Sequence, residues 1–196
     1  MAAGEGTRLR PLTATWAKPV LPIDGRPVIA TLLRDLVAAG IERAVVVTGH
    51  LAEQVEALVG DGSAFGLQVE FVRQPGVLGS ADAVRRAVAA GLGPPFVATA
   101  ADTLFAPGAI AGLVAAGAGA DGVMCDPAAP LWLLGPRLVP YLCTDAAPFE
   151  LANTFAAGRA AGLEIRTVDV GKTRDLTRPV DLVTENFPYS ALFGGS

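Results

Sequence analysis

Ala2-Ala3-Gly4-Glu5-Gly6-Thr7-Arg8-Leu9-Arg10-Pro11-Leu12-Thr13 opens the chain, and Lys18-Pro19 follows five residues on. Two glycines one residue apart let backbone N–H groups approach an anion with no Cβ in the way. Arg8 adds a planar fork of donors suited to phosphate oxygens, and Lys18 a mobile point charge. Together they read as a cradle for a triphosphate. The Walker pattern is absent, and so is the dinucleotide fingerprint, because Leu9 occupies the position of its third glycine.

Working outward, apolar runs of helical and strand type alternate. Helical spacing runs from Val28 to Ala39 and stops at Gly40. Ala44–Thr48 reads as a buried strand, Leu51–Val59 as a helix and residues 67–72 as a strand. Ser80 reads as the N-cap of a helix running to Ala90, and Phe96–Thr99 as the next strand. A helix, two strand-like runs and two more helices follow, the last ending at Asn186. This rhythm predicts an α/β fold with a mostly parallel sheet and helices on both faces. Ligands in such folds bind beyond the carboxyl ends of the strands. The loops at 4–13, 74–80 and 100–105 all follow strand-like positions and are expected to line one edge.

Composition bounds the function. The 196 residues suit one domain, with a tail from Phe187 to Ser196 expected to fray. Mean hydropathy is +0.46, but alanine supplies much of it, and no apolar run approaches the ~20 residues of a membrane span. The net charge of −4, without a basic tract, excludes nucleic-acid binding as the main activity. Cys125 and Cys143 lack metal-ligand spacing and read as buried small hydrophobes in a reducing, cytoplasmic setting. His50, the sole histidine, reads as a strand-to-helix turn residue, Asp61 as a turn residue, and Trp16 and Trp132 as packing anchors.

Gly-x-Gly-Thr-Arg-Leu-x-Pro-Leu-Thr-x4-Lys-Pro, continued by Val20-Leu21-Pro22-Ile23-Asp24-Gly25-Arg26-Pro27, resembles the signature of the sugar-1-phosphate nucleotidyltransferases, also called NDP-sugar pyrophosphorylases. The resemblance implies a Rossmann-like three-layer α/β/α domain with a mixed, mostly parallel sheet, of the nucleotide-diphospho-sugar transferase type. It implies that a sugar-1-phosphate oxygen attacks the α-phosphorus of a nucleoside triphosphate in line, with Mg²⁺ as cofactor. On this reading Arg8 and Lys18 are catalytic, and Ala2, Ala3, Gly4, Glu5, Gly6 and Thr7 hold the nucleotide. Asp102, in Ala101-Asp102-Thr103-Leu104, matches the family's first metal carboxylate. For the second, Asp175 brings Pro179, Asp181-Leu182 and Asn186 into register with the family pattern; Asp169 matches fewer positions and is held in reserve.

Gln74-Pro75, with Gly79-Ser80-Ala81, resembles the family's base-binding segment. An amide offers an acceptor and two donors, which suits the N3–H and flanking carbonyls of a pyrimidine. UTP or dTTP is therefore favoured. Lys172 and Arg174 flank the second carboxylate, as solvated charges or as phosphate contacts.

The resemblance has two gaps. No full hydrophobic strand precedes Ala2, so the central first strand is expected to shrink to almost nothing and to leave backbone donors unpaired. Gly122–Pro127 runs almost directly into Pro130–Leu134, where relatives carry a longer segment with a sugar-phosphate lysine. The expectation is that the sequence as given omits residues. Two rival readings remain. One is a cytidylyltransferase acting on a non-sugar phosphate such as phosphocholine; the other is a regulatory subunit that binds nucleotide sugars without turnover.

Overall fold

Which residues alternate and which recur every third or fourth position settles most of the elements. The computed structural model describes residues 1–142 and 149–187, so Cys143 and the tail beyond Phe187 lie outside the described residues. In chain order come β1 (Pro22–Ile23), β2 (Arg26–Pro27), α1 (Val28–Ala38), β3 (Arg43–Thr48), α2 (Ala52–Val59), β4 (Gln68–Arg73), α3 (Ser80–Ala89), β5 (Phe96–Thr99), β6 (Thr103–Leu104), α4 (Ala109–Ala116), β7 (Gly122–Cys125), β8 (Leu131–Leu134), α5 (Leu151–Ala160), β9 (Ile165–Val168), β10 (Arg174–Asp175) and α6 (Pro179–Asn186). Gly40 ends α1 as its sequence position predicts: its N–H bonds Val37 O at 2.9 Å, and the Ile41 N–H bonds Leu36 O at 3.0 Å.

The strands send alternate side chains to opposite faces. Val46, Val123, Leu131 and Leu133 pack with Ile29, Leu32 and Leu33 of α1 and with Ile110 and Leu113 of α4. Val47, Phe96, Ala98 and Leu134 face the other way, towards α3 and α5 through Val84, Ala87, Leu151 and Phe155. Three layers result, α/β/α. The sheet is mixed. β3 and β4 are parallel, and a second set runs in the order β5-β8-β7-β9, with β7 and β9 parallel and β8 antiparallel to both its neighbours. The abrupt join between Pro127 and Pro130 is the turn of the β7–β8 hairpin.

Between β3 and β5 the sheet is interrupted. Among the described residues, Met1 and Ala2 bridge the two sets of strands. Ala2 makes a parallel bridge with Thr48 and donates to Val47 O at 2.7 Å, while Met1 accepts from Ala101 N at 2.8 Å and its amino group donates to Thr99 O at 2.8 Å. Beside them opens an apolar pocket of about 400 Å³, lined among others by Val45, Val47, Ala83, Phe96, Ala98 and Leu133.

A clasp between residues far apart in sequence ties the β1–β2 turn to β10 and α6. Arg174 grips both carboxylate oxygens of Asp24, at 2.6 and 2.9 Å, and also Glu185 at 2.7 Å. Asn186 accepts from Gly25 N and donates to Pro22 O, each at 2.8 Å. Arg174 is therefore an exposed but ion-paired structural tie, and the Asp24 hydrogen bonds hold its guanidinium firmly protonated.

Candidate active site

The opening loop is shaped by its own short bonds. Gly6 adopts φ 61°, and a Cβ there would come within 2.9 Å of the Thr13 methyl. The Thr13 hydroxyl donates to Gly6 O at 2.8 Å, and the Leu9 N–H donates to the same oxygen at 2.9 Å. Leu9, at 1% exposure, anchors the loop in the core. Residues around the start of α2 pin its second half. His50 Nε2 lies 2.8 Å from Thr13 O, so that nitrogen carries the proton and donates. The Gln54 amide accepts from Ala17 N at 2.8 Å and donates to Thr15 O at 2.7 Å. His50, read from sequence only as a turn residue, and Gln54, not singled out there, are thus positioning residues whose partners lie 37 to 39 positions away.

The loop opens onto a cleft of about 560 Å³, lined by Ala2, Gly4–Leu9, Lys18, Val77, Asp102, Leu176 and Thr177. β6 and β10 bring the carboxylates together, because Asp175 pairs with Thr103, the residue after Asp102. Lys18 Nζ lies 2.6 Å from Asp102 Oδ2 and 3.8 Å from Asp175 Oδ2, with its side chain only 12% exposed. Asp175 also accepts from the Thr177 hydroxyl at 2.9 Å. Arg8 is exposed on the cleft wall and has no acidic partner among the described residues, whereas Glu5 is paired with Arg10 at 3.1 Å. Asp169 is elsewhere: it accepts from Gly171 N in a shallow hollow between Ala106 and Val170.

The donor set suits a hard divalent cation. Two carboxylates already converge on one positive charge, and Mg²⁺ is usually held by one or two carboxylates plus substrate phosphates. Among the described residues no group of three His, Cys, Asp or Glu forms a closed cage. Asp102 and Asp175 are the residues that could hold such an ion.

The segment at 74–81 is arranged differently from its sequence reading. Gln74 is 6% exposed, and its amide nitrogen donates to Gly79 O at 3.2 Å and to Asp82 at 2.8 Å. Ser80 is the first residue of α3 and not its N-cap. Its hydroxyl turns to α5, accepting from Leu151 N at 2.8 Å and donating to Glu150 at 2.5 Å. The Ala81 N–H bonds Phe149 O at 2.6 Å. Of this segment, Val77 lines the cleft, next to which Gln74, Gly79, Ser80 and Ala81 follow in the chain without lining it.

Asp82 joins this network to Arg85 at 2.8 Å and Arg86 at 2.7 Å, with its own side chain 2% exposed. Burial alone would raise its carboxyl, but the bonds from Arg86, Gln74 and Arg85 outweigh it and hold the group below its ordinary value. Asp82 therefore stabilises the fold above its unfolded pKa, near ~3.9, and that contribution disappears as pH falls through the lower, folded value. Asp82→Asn is expected to lower stability by about 2 kcal/mol at neutral pH. In urea melts the gap from wild type should narrow steadily in acid, and a gap that does not change with pH would contradict this account.

Other residues find plain roles. Cys125 is buried and donates to Leu131 O at 3.2 Å; burial, then the Asp169 charge, pushes its thiol up to about 11. Asp61 bonds Ser63 within a turn, as expected. Trp132 packs in the core beside α5. Trp16 does not serve as an anchor. It is 53% exposed, because Ala17 and Pro19, which follow it, take the inward positions of this short turn. Lys172 is exposed. No helix among the described residues is long and apolar enough to cross a membrane.

A family model described as nucleotidyl transferase matches residues 1–121. The chain is 46% identical over 80 residues to a mannose-1-phosphate guanylyltransferase of Mycobacterium tuberculosis, covering 41% of this chain and 22% of that protein. It is 45% identical over 84 residues to a glucose-1-phosphate thymidylyltransferase of Streptomyces griseus, covering 43% and 24% respectively. The chain thus matches less than a quarter of the length of either relative. A Bacillus anthracis structure assigned as a glucose-1-phosphate thymidylyltransferase, solved with sucrose, superposes with a TM-score of 0.83 at 18% identity, covering 94% of this chain and 91% of that one.

Proposed function

The chain belongs to the nucleotidyl transferase family, and on that footing we propose that it transfers a nucleotidyl group from UTP or dTTP to a sugar-1-phosphate. A phosphate oxygen of the sugar phosphate attacks the α-phosphorus, the bond to the β-phosphate bridging oxygen breaks, and pyrophosphate leaves with the electron pair. The product is an NDP-sugar. No protein nucleophile takes part; the work is positioning and charge stabilisation.

One observation carries this reading: Lys18 lies between Asp102 and Asp175 in a cleft walled by the glycine loop and Arg8. Loop N–H groups from Ala3 to Thr7 hold the β- and γ-phosphates, while the Ala2 N–H is spent on Val47 O and leaves Ala2 only a lining role. Arg8 and Lys18 meet the charge that builds on the α-phosphoryl oxygens. Asp102 and Asp175 hold Mg²⁺, which when bound supplies Lewis-acid polarisation of those oxygens. Gln74 and the backbone of Gly79–Ala81 form the base end. The amide nitrogen of Gln74 is fixed by Gly79 and Asp82, which leaves its carbonyl oxygen to meet a pyrimidine N3–H. Nucleoside triphosphate chemistry and the buried Cys125 thiol both suit a cytoplasmic setting.

Pyrophosphate release with Mg²⁺, crossing the common nucleoside triphosphates with a panel of sugar-1-phosphates, tests the reading. Turnover is expected with UTP or dTTP and one sugar phosphate. Nucleotide binding without turnover across the whole panel would favour a regulatory subunit instead.

A further inference from the structure

Lys18 occupies an unusual position for a residue meant to touch phosphate. Its ammonium is nearly buried, and it is spent on Asp102 at 2.6 Å with Asp175 at 3.8 Å, the two carboxylates that would hold the divalent cation. An ammonium and a divalent ion cannot share those oxygens at contact distance without strong repulsion between like charges. The backbone at Lys18 is also fixed. Ala17 N is bonded to Gln54, Pro19 is buried, and Lys18 Cβ would lie 3.5 Å from a Cβ added at Gly6. Only the flexible stem of the lysine is free to redirect the charge, and the glycine loop lies beside it.

We propose that Lys18 is an internal counterion that competes with the divalent cation for the Asp102–Asp175 pair. This rests on the reading of those carboxylates as the cation's protein ligands. Without triphosphate, the lysine charge neutralises the pair and keeps cation affinity low. With triphosphate in the cleft, the phosphates offer Lys18 an alternative partner, so it swings from the carboxylates to the phosphates as the cation arrives. Cation and nucleotide then enter together, and the lysine reaches the phosphates only when both are present. Such coupling is reciprocal: whatever draws Lys18 away from the pair strengthens cation binding by the same factor.

The test is direct titration of the whole protein with Mn²⁺ in the absence of nucleotide, following free Mn²⁺ by electron paramagnetic resonance. Lys18→Gln is expected to bind Mn²⁺ about tenfold or more tightly than wild type, and Lys18→Arg, which keeps the charge, as weakly as wild type. Lys18→Met, with a similar apolar stem, is the second neutral variant if the glutamine form does not fold. The double variant Lys18→Gln/Asp102→Asn is expected to lose the gain. Neutral variants that bind Mn²⁺ no better than wild type, or an arginine variant that gains as much as glutamine, would overturn the competition. If wild-type binding still weakens in Asp102→Asn, the carboxylates remain the cation's ligands and only the competition fails. A double variant that keeps the full gain puts the cation elsewhere and removes the ligand assignment itself.

Discussion

Asp102→Asn is expected to lower kcat by about 100-fold or more, since removing one preorganised charge from a transition state commonly costs that much. The substitution keeps the size and shape of the side chain. It removes the charge that Lys18 meets at 2.6 Å and one of the two carboxylates that face a common cation. The side chain is 27% exposed, and Asp175 at 3.8 Å remains as a carboxylate partner for Lys18, so the variant is expected to fold. Loss of stabilisation made only in the transition state lowers kcat and kcat/KM together, whereas loss of ground-state binding raises KM alone. Pyrophosphate release, read with a melting curve on the same sample, separates the two. Turnover within a fewfold of wild type in a folded variant would remove Asp102 from the chemistry.

Gly79→Ala is expected to cost about 3 kcal/mol, the sum of a forced left-handed backbone and an overpacked contact. Gly79 adopts φ 101°, and an added Cβ would sit 2.5 Å from Phe149 O and 2.7 Å from Phe149 N. Those are backbone atoms, and they are already engaged: Phe149 N donates to Leu78 O at 3.0 Å, and Phe149 O accepts from Ala81 N. The clash therefore cannot be relieved by one rotamer change. It must separate the 78–81 turn from the start of α5, and with it the Gln74 bond to Gly79 O. The urea midpoint reports the loss. An unchanged midpoint would show that the turn tolerates the shift.

The parts of this molecule that were legible in its sequence are those built from near neighbours. The ends of α1, the β5 strand, the glycine loop and the placing of Lys18 and Asp102 beside it all follow from local pattern or motif. The choice of Asp175 over Asp169 rested on register within one short segment, and the β6–β10 pairing places Asp175 by Lys18. What sequence could not supply depends on partners far along the chain. Ser80 looks like a cap for its own helix, yet its hydroxyl serves a helix start 71 positions away. Arg174 looks like a solvated cation until Asp24, 150 positions away, closes on it. Gln74 looks like a free amide because nothing in its own segment announces Asp82 as a buried carboxylate. Trp16 misled for the opposite reason: size alone suggested burial, and the short turn gave the inward places to smaller neighbours.

The Arg174 clasp has a consequence for the cleft. One guanidinium holds Asp24 and Glu185, so the β1–β2 turn, β10 and α6 are tied at a single point. The next residue along β10 is Asp175, which faces Lys18. Loosening α6 therefore slackens the strand that carries a cleft carboxylate, and that helix acts as a distant brace for that edge.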